Sequence, residues 1–391
     1  MAAPTSHPAT AARTTAELRA QGQAIWLDFI HRDLIATEQL AQLVRDDGLS
    51  GVTSNPAIFE KAMVESDAYV DAISTICRKN HRATPKEIFE QLAIRDIQDA
   101  ADVLRTAYDE TSGRDGYACL EVAPDLARNT ASTIDEARRL WRSVNRPNVM
   151  IKVPGTIEGL PAIRELLTDG INVNITLLFS RDRYEAVAAS YLDALEARRA
   201  AGERIDRVAS VASFFISRID TAVDALLSDR ITAAPEKERP SLEQLLGTAG
   251  ISNAKIAYSS FKAIFSGRRW DWLASQGGQL QRVLWASTSV KNPKYRDTRY
   301  VEEMIGPSTV DTMPLETLTA FRDHGRVRAS LEEGIDGARD TLAAIERAGI
   351  SMKAVTDRLL DEGIDKFVEP YVKLLKTIEH RCAEVRASSG R

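Results

Sequence analysis

Eight short runs rich in apolar and β-branched residues, each separated from the next by a longer stretch with helical spacing, set the framework of this chain. They lie at 24–30 (A-I-W-L-D-F-I), 51–55, 118–122, 149–153, 171–176, 207–215, 282–289 and, weakly, 308–313. Strands joined through helices run parallel, because each connection must cross back over the sheet. Eight of them favour closure, and the expected fold is α/β: a (β/α)8 TIM barrel with additional helices. Reactive groups in such a barrel gather at the C-terminal ends of the strands and in the loops that follow. An open doubly wound sheet is the alternative, but no strand leads into a G-x-G-x-x-G turn. Residues 1–15 read as a disordered tail and 16–391 as a single domain. Helical insertions are expected at about 59–110 and 231–247, with further helices at 330–347 and 363–385.

With 391 residues, 44% of them hydrophobic, the chain can bury a large core. Its net charge of -5 is spread among mixed signs, which argues against a nucleic-acid or membrane partner. Cys77, Cys119 and Cys382 are widely and irregularly spaced, so neither a disulfide framework nor a zinc site is expected. That pattern, with an N-terminus lacking the charged and apolar regions of a signal peptide, points to the cytoplasm.

One lysine stands out. Lys152 interrupts the apolar run Val149, Met150, Ile151, Val153, between Pro147 and Pro154. Burial disfavours the charged form of an amine, and an uncharged amine attacks carbonyls to form a Schiff base. The competing reading is a lysine whose head reaches water at the strand end. Side chains two apart share a face of a strand, and this alternation identifies possible companions. Asp28 shares a face with Ala24 and Trp26, Glu121 with Cys119, and Lys152 with Met150. Asn172, Asn174 and Thr176 oppose Ile171, Val173 and Ile175, and Thr53 and Asn55 follow the second run.

Singly, such residues cap helices or satisfy turns. Converging on one closed interior, they would be costly to bury without a use. Two acids beside an amine can move the protons that imine formation, C–C cleavage and hydrolysis each require. The five histidines fall in apparent tails, loops and helices, and no cluster has metal-ligand spacing. Later in the chain, Ser213 with Arg218, and S-T-S-V-K at 287–291 with Ser289 and Lys291, put hydroxyls and cations where barrels hold phosphate. The competing reading is a solvated arginine at the start of a helix and a surface lysine.

Three segments, G-V-T-S-N-P-A-I-F at 51–59, I-K-V-P-G-T-I-E-G-L at 151–160 and G-I-N-V-N-I-T-L-L-F-S at 170–180, give the chain a resemblance to the transaldolases from about residue 20 to 320. The resemblance implies that Lys152 forms the imine and that Asp28 handles the proton of the C4 hydroxyl. It implies that Glu121, through a water held with Thr176, serves imine formation and hydrolysis. Asn55 and Asn174 would bind the dihydroxyacetone unit, and Ser213, Arg218, Ser289 and Lys291 the sugar phosphate. The implied reaction moves dihydroxyacetone from sedoheptulose 7-phosphate to glyceraldehyde 3-phosphate without a cofactor, in a monomer or homodimer.

The chain departs from the shorter transaldolases in its extra helices at 59–110, in Lys291 where many have arginine, and in its tail from about 325. The first and last suggest the longer bacterial subgroup. The related fructose 6-phosphate aldolases are shorter, lack the glutamate corresponding to Glu121, and resemble a tyrosine at the position of Phe215. A barrel kept only as a binding protein would be expected to have lost some of these polar positions, and all are present.

Overall fold

The computed structural model describes residues 8–65 and 67–389. Within them eight parallel strands close into a barrel in chain order: β1 (Gln23–Leu27), β2 (Gly51–Val52), β3 (Tyr117–Glu121), β4 (Val149–Pro154), β5 (Val173–Leu178), β6 (Ser210–Phe215), β7 (Arg282–Ala286) and β8 (Thr309–Met313). The seam pairs β8 with β1, Thr309 opposite Gln23 through Met313 opposite Leu27. Strand alternation divides the core as the sequence predicts. Trp26, Tyr117, Cys119, Met150, Val211, Leu284 and Val310 fill the barrel. Ile25, Leu27, Leu120, Ile151, Val173, Ala212 and Trp285 face the surrounding helices. Gly51 permits this filling, since a Cβ there would lie 2.3 Å from the Trp26 ring.

Several strands are shorter than their apolar runs. β1 stops at Leu27 and β7 at Ala286, so Asp28 and residues 287–291 belong to the loops at the barrel mouth. Ser287 has φ +57°, a conformation that ends a strand. On β5 the register with β6 shifts between Ile175 and Leu178, and Leu177 between them has φ +60°. This bulge turns Leu177 into the barrel-side cluster directly after Thr176.

The stretch expected as an insertion at 59–110 divides in two. Pro85–Val103 is capped by a reciprocal Thr84–Glu87 box and packs on β3 and on Thr130–Val144, as the crossover from β2 to β3. Pro56–Glu65 and Val70–Lys79 pack mainly on the last helix, which Pro85–Val103 also touches. The 231–247 stretch contains the short helix Arg239–Glu243. At the N-terminus, helix Pro8–Ala20 begins inside the expected tail, whose residues 1–7 lie outside the described residues. No helix among the described residues is long and apolar enough to cross a membrane.

The last helix, Met352–Ser389, runs 38 residues and continues through Pro370, well beyond the expected 363–385. Leu359, Phe367, Tyr371, Leu374, Ile378 and Cys382 form its buried stripe, at the three- and four-residue spacing of one helix face. Gly363 continues that face toward the barrel. A Cβ there would stand 3.0 Å from Leu177 Cδ2, so glycine lets the helix lie against the mouth.

The cysteine expectation requires correction. Cys77 and Cys382, 305 residues apart, are joined in a disulfide with Cα atoms 5.5 Å apart. Spacing along the sequence carried no signal of this, because the proximity arises only when the last helix docks on Val70–Lys79. Cys119 remains a buried free thiol. Thiol titration of the air-exposed protein in denaturant should therefore count one reactive cysteine, rising to three after reduction. Three before reduction would show the bridge to be open.

Candidate active site

The mouth of the barrel holds a cavity of about 170 Å³ lined by Asp28, Asn55, Lys152, Thr176, Ser213, Arg218, Ser289 and Lys291, among others. Two expected residues, Glu121 and Asn174, stand just behind that wall. Lys152 comes from β4 and is 5% exposed. Its Nζ donates to the Ser54 carbonyl at 3.1 Å and lies 3.4 Å from Glu121 Oε2. Neighbouring registers bring this about, because Glu121 on β3 and Asn174 on β5 both lie opposite Lys152. The contact with Glu121 is electrostatic. Neither carboxyl oxygen has a hydrogen-bond partner among the described residues, nor does the buried Thr176 Oγ1.

Asp28 leaves β1 at the mouth and accepts a hydrogen bond from Thr53 Oγ1 at 2.8 Å. Thr53 Oγ1 is also 2.8 Å from Thr312 Oγ1, which ties the first, second and eighth strand ends together. Asn174 sits one layer deeper. Its amide donates to Cys119 Sγ at 3.4 Å and its carbonyl accepts from Ser213 Oγ at 2.7 Å. Ser213 thus orients Asn174 while also lining the cavity. Asn55 Oδ1 accepts from the Ile58 amide at 3.0 Å, leaving its NH2 donors for the cavity.

The cationic end is built by the loop after β7 and the start of helix Ser217–Ala233. Ser217 and Ser287 hydroxyls meet at 2.9 Å, and the Ser217 amide donates to the Ser287 carbonyl at 3.1 Å. Arg218 follows, its guanidinium 5.2 Å from the centre of the Phe215 ring, with Nη1 buried and unpartnered among the described residues. Lys291 is exposed and donates to Ser289 Oγ at 2.8 Å. A half-buried guanidinium with no carboxylate at ion-pair distance among the described residues is suited to an anion that arrives with the substrate.

Burial governs the acids. It pushes Glu121 from 4.5 up to about 7, against the pull of Lys152 and with a smaller push from Asp28. Burial also raises Asp28, opposed by Lys152, the Thr53 hydrogen bond and Arg218. The Cys119 thiol is pushed up to about 12 by burial, which makes it an inert filler of the barrel. Sequence reasoning missed Phe367 and Thr312, which also line the cavity, and the Ser54 carbonyl. Thr312 follows from the alternation Val310, Thr312 on β8; the only trace of Phe367 was its place in the last helix's apolar stripe.

A lysine buried at a strand end, 3.4 Å from one carboxyl group and sharing a cavity with a second and with two further cations, is laid out as an enzyme site at the mouth of a (β/α)8 barrel. Residues 25–378 match the family model described as Transaldolase/Fructose-6-phosphate aldolase, and the chain belongs to that family. It is 43% identical to a transaldolase of Trichodesmium erythraeum over 93% of this chain and 96% of that protein. A transaldolase of Thermobifida fusca is 45% identical over 94% of this chain and 98% of its own length. One from Thiobacillus denitrificans is 44% identical, with 93% and 99% covered.

A carboxyl raised on folding favours the native state while it is protonated, and that contribution is lost as pH rises through the folded value. For Glu121 the window runs from 4.5 to about 7, a difference of at most about 3 kcal/mol. Glu121→Gln should therefore raise the thermal midpoint at pH 8 while changing it little at pH 4, and slow catalysis at both. An equal shift at the two pH values would show that the carboxyl is not destabilised by burial.

Proposed function

We propose that this protein acts as a transaldolase, transferring dihydroxyacetone from sedoheptulose 7-phosphate to glyceraldehyde 3-phosphate to give erythrose 4-phosphate and fructose 6-phosphate. The observation that carries the reading is Lys152 Nζ, buried beside Glu121 at the inner end of a cavity whose outer end carries Arg218 and Lys291. A donor with its phosphate on the cations places its ketone toward the amine.

The steps follow from the groups present. The amine attacks C2 of the donor, and Glu121 shuttles protons as the carbinolamine loses water and the protonated imine forms. Thr176, whose hydroxyl lacks a hydrogen-bond partner among the described residues, holds the water with Glu121. Asp28 takes the proton of the C4 hydroxyl, the C3–C4 bond breaks, and its electron pair moves into the imine to leave an enamine on Lys152. The aldehyde product departs. The enamine then attacks the acceptor aldehyde, Asp28 returns its proton to the new hydroxyl, and water releases the ketose from the lysine. Asn55 and Asn174 hold the hydroxyls of the three-carbon unit. The cytoplasm is the compartment this reading implies, since phosphorylated sugars are its substrates.

Borohydride added with fructose 6-phosphate should fix a covalent adduct on Lys152, and Lys152→Ala should remove both adduct and transfer. Asp28→Asn should slow transfer roughly 10²–10⁴-fold, the usual range for losing a positioned acid/base, while leaving imine trapping measurable. A coupled assay with and without aldehyde acceptor separates transfer from simple cleavage. Rapid release of free dihydroxyacetone without acceptor would make the protein a fructose 6-phosphate aldolase instead.

A further inference from the structure

The barrel supplies the lysine, acids, amides and cations of the cavity, but part of its wall is aromatic and comes from outside the barrel. Phe367, on helix Met352–Ser389, is buried and lines the same cavity as Lys152, Asp28 and Arg218. The centre of its ring lies 5.5 Å from Lys152 Nζ, within the roughly 6 Å over which an aromatic face attracts a cation.

Several contacts hold that ring in place. One helical turn earlier, Gly363 lies against the barrel mouth, with room for a Cβ only at 3.0 Å from Leu177. One turn later, the Tyr371 ring meets the Phe89 ring edge-on at 5.7 Å. Lys373 pairs with Glu60 at 2.6 Å, Asp361 pairs with Arg128, and the Cys77–Cys382 bridge fastens the far end. A segment pinned on both sides of Phe367 presents a fixed surface to the amine.

The imine intermediate carries positive charge at the nitrogen that was Lys152 Nζ. A buried ring face stabilises such a charge without offering a base or a hydrogen-bonding atom, and its bulk excludes water. We propose that Phe367 is a further catalytic residue: its ring face stabilises the protonated imine on Lys152, and its bulk keeps water from the enamine left there after cleavage, so that the three-carbon unit waits for a sugar acceptor. The proposal rests on the imine-forming role of Lys152. No new covalent step is involved, since the ring acts on the charge and on access.

The test compares Phe367→Leu, which keeps apolar bulk without a π face, with Phe367→Tyr, which restores the face. Each variant is assayed for transfer, for free dihydroxyacetone released from fructose 6-phosphate per transfer event, and for borohydride trapping at Lys152. Leucine should lower kcat about tenfold, the scale of one desolvated cation–π contact, and raise the released fraction several-fold, with KM for the sugar phosphates held within about twofold. Tyrosine should return kcat and partition to within about twofold of the parent. Should leucine loosen the helix, seen as a lowered thermal midpoint, Phe367→Met takes its place as the apolar control. Parental kcat and partition in the leucine or methionine protein would overturn the proposal, as would equal losses with tyrosine. Absence of a Lys152 adduct in the unsubstituted protein would instead overturn the imine reading beneath it.

Discussion

The ionisable pair Lys152 and Glu121, taken out of water at the top of a closed barrel, is the arrangement to which the rest of the architecture is fitted. Moving either charge alone into such a place would cost several kcal/mol, and a carboxylate beside an ammonium offsets that cost only in part. The result is a carboxyl that burial pushes up to about 7, with a lysine amine 3.4 Å away. Asp28, also raised by burial, lines the same cavity as Lys152. The strands below it are packed by Trp26, Met150, Leu284 and Val310, a largely apolar filling in which the Trp26 indole N–H is satisfied by Asp115 Oδ1 at 2.8 Å.

Around that pair the cavity is graded. Its deep end offers amide and hydroxyl groups already committed to neighbours, as Asn174 is to Ser213 and Cys119. Its outer end offers a guanidinium with an unpaired nitrogen and an exposed ammonium. A molecule with a carbonyl at one end, hydroxyls between and a phosphate at the other fits that order of chemistry. The last helix then closes the remaining side. An enamine on a lysine can be met by an aldehyde or by a proton from water, and the second course ends the transfer; a barrel mouth left open to solvent would favour it.

Much of this was legible in the sequence because strand alternation is strict. Knowing only that residues two apart share a face, one can place Asp28, Glu121, Lys152, Asn174 and Thr176 inward, and the structure brings all five to the same end of the barrel. Strand ends were less legible. Strand-like runs continue past the last ladder hydrogen bond when the following loop is itself packed, as at the half-buried Phe29 and the buried Ile30 and Thr288. Two features were out of reach for a stronger reason. The Cys77–Cys382 bridge and the Phe367 contact depend on where a helix near residue 370 docks on elements hundreds of residues earlier, and local pattern carries no information on such a distance. The bulge at Leu177 was hidden too, since its apolar neighbours conceal a register shift that only the β6 pairing reveals.

The atoms left without hydrogen bonds among the described residues indicate what the site is made to receive. Both oxygens of Glu121, Thr176 Oγ1 and Arg218 Nη1 are buried without hydrogen bonds among the described residues. Each such group costs about 1–3 kcal/mol relative to a satisfied one, so folding alone would select against them. They make sense as half of a set of bonds whose other half arrives with substrate and water. An anion on Arg218, and a water between Glu121 and Thr176, would satisfy several of them at once, and the native state would gain stability by the same amount that the ligand gains affinity. The stability withheld from the empty protein is thereby available to orient the bound sugar.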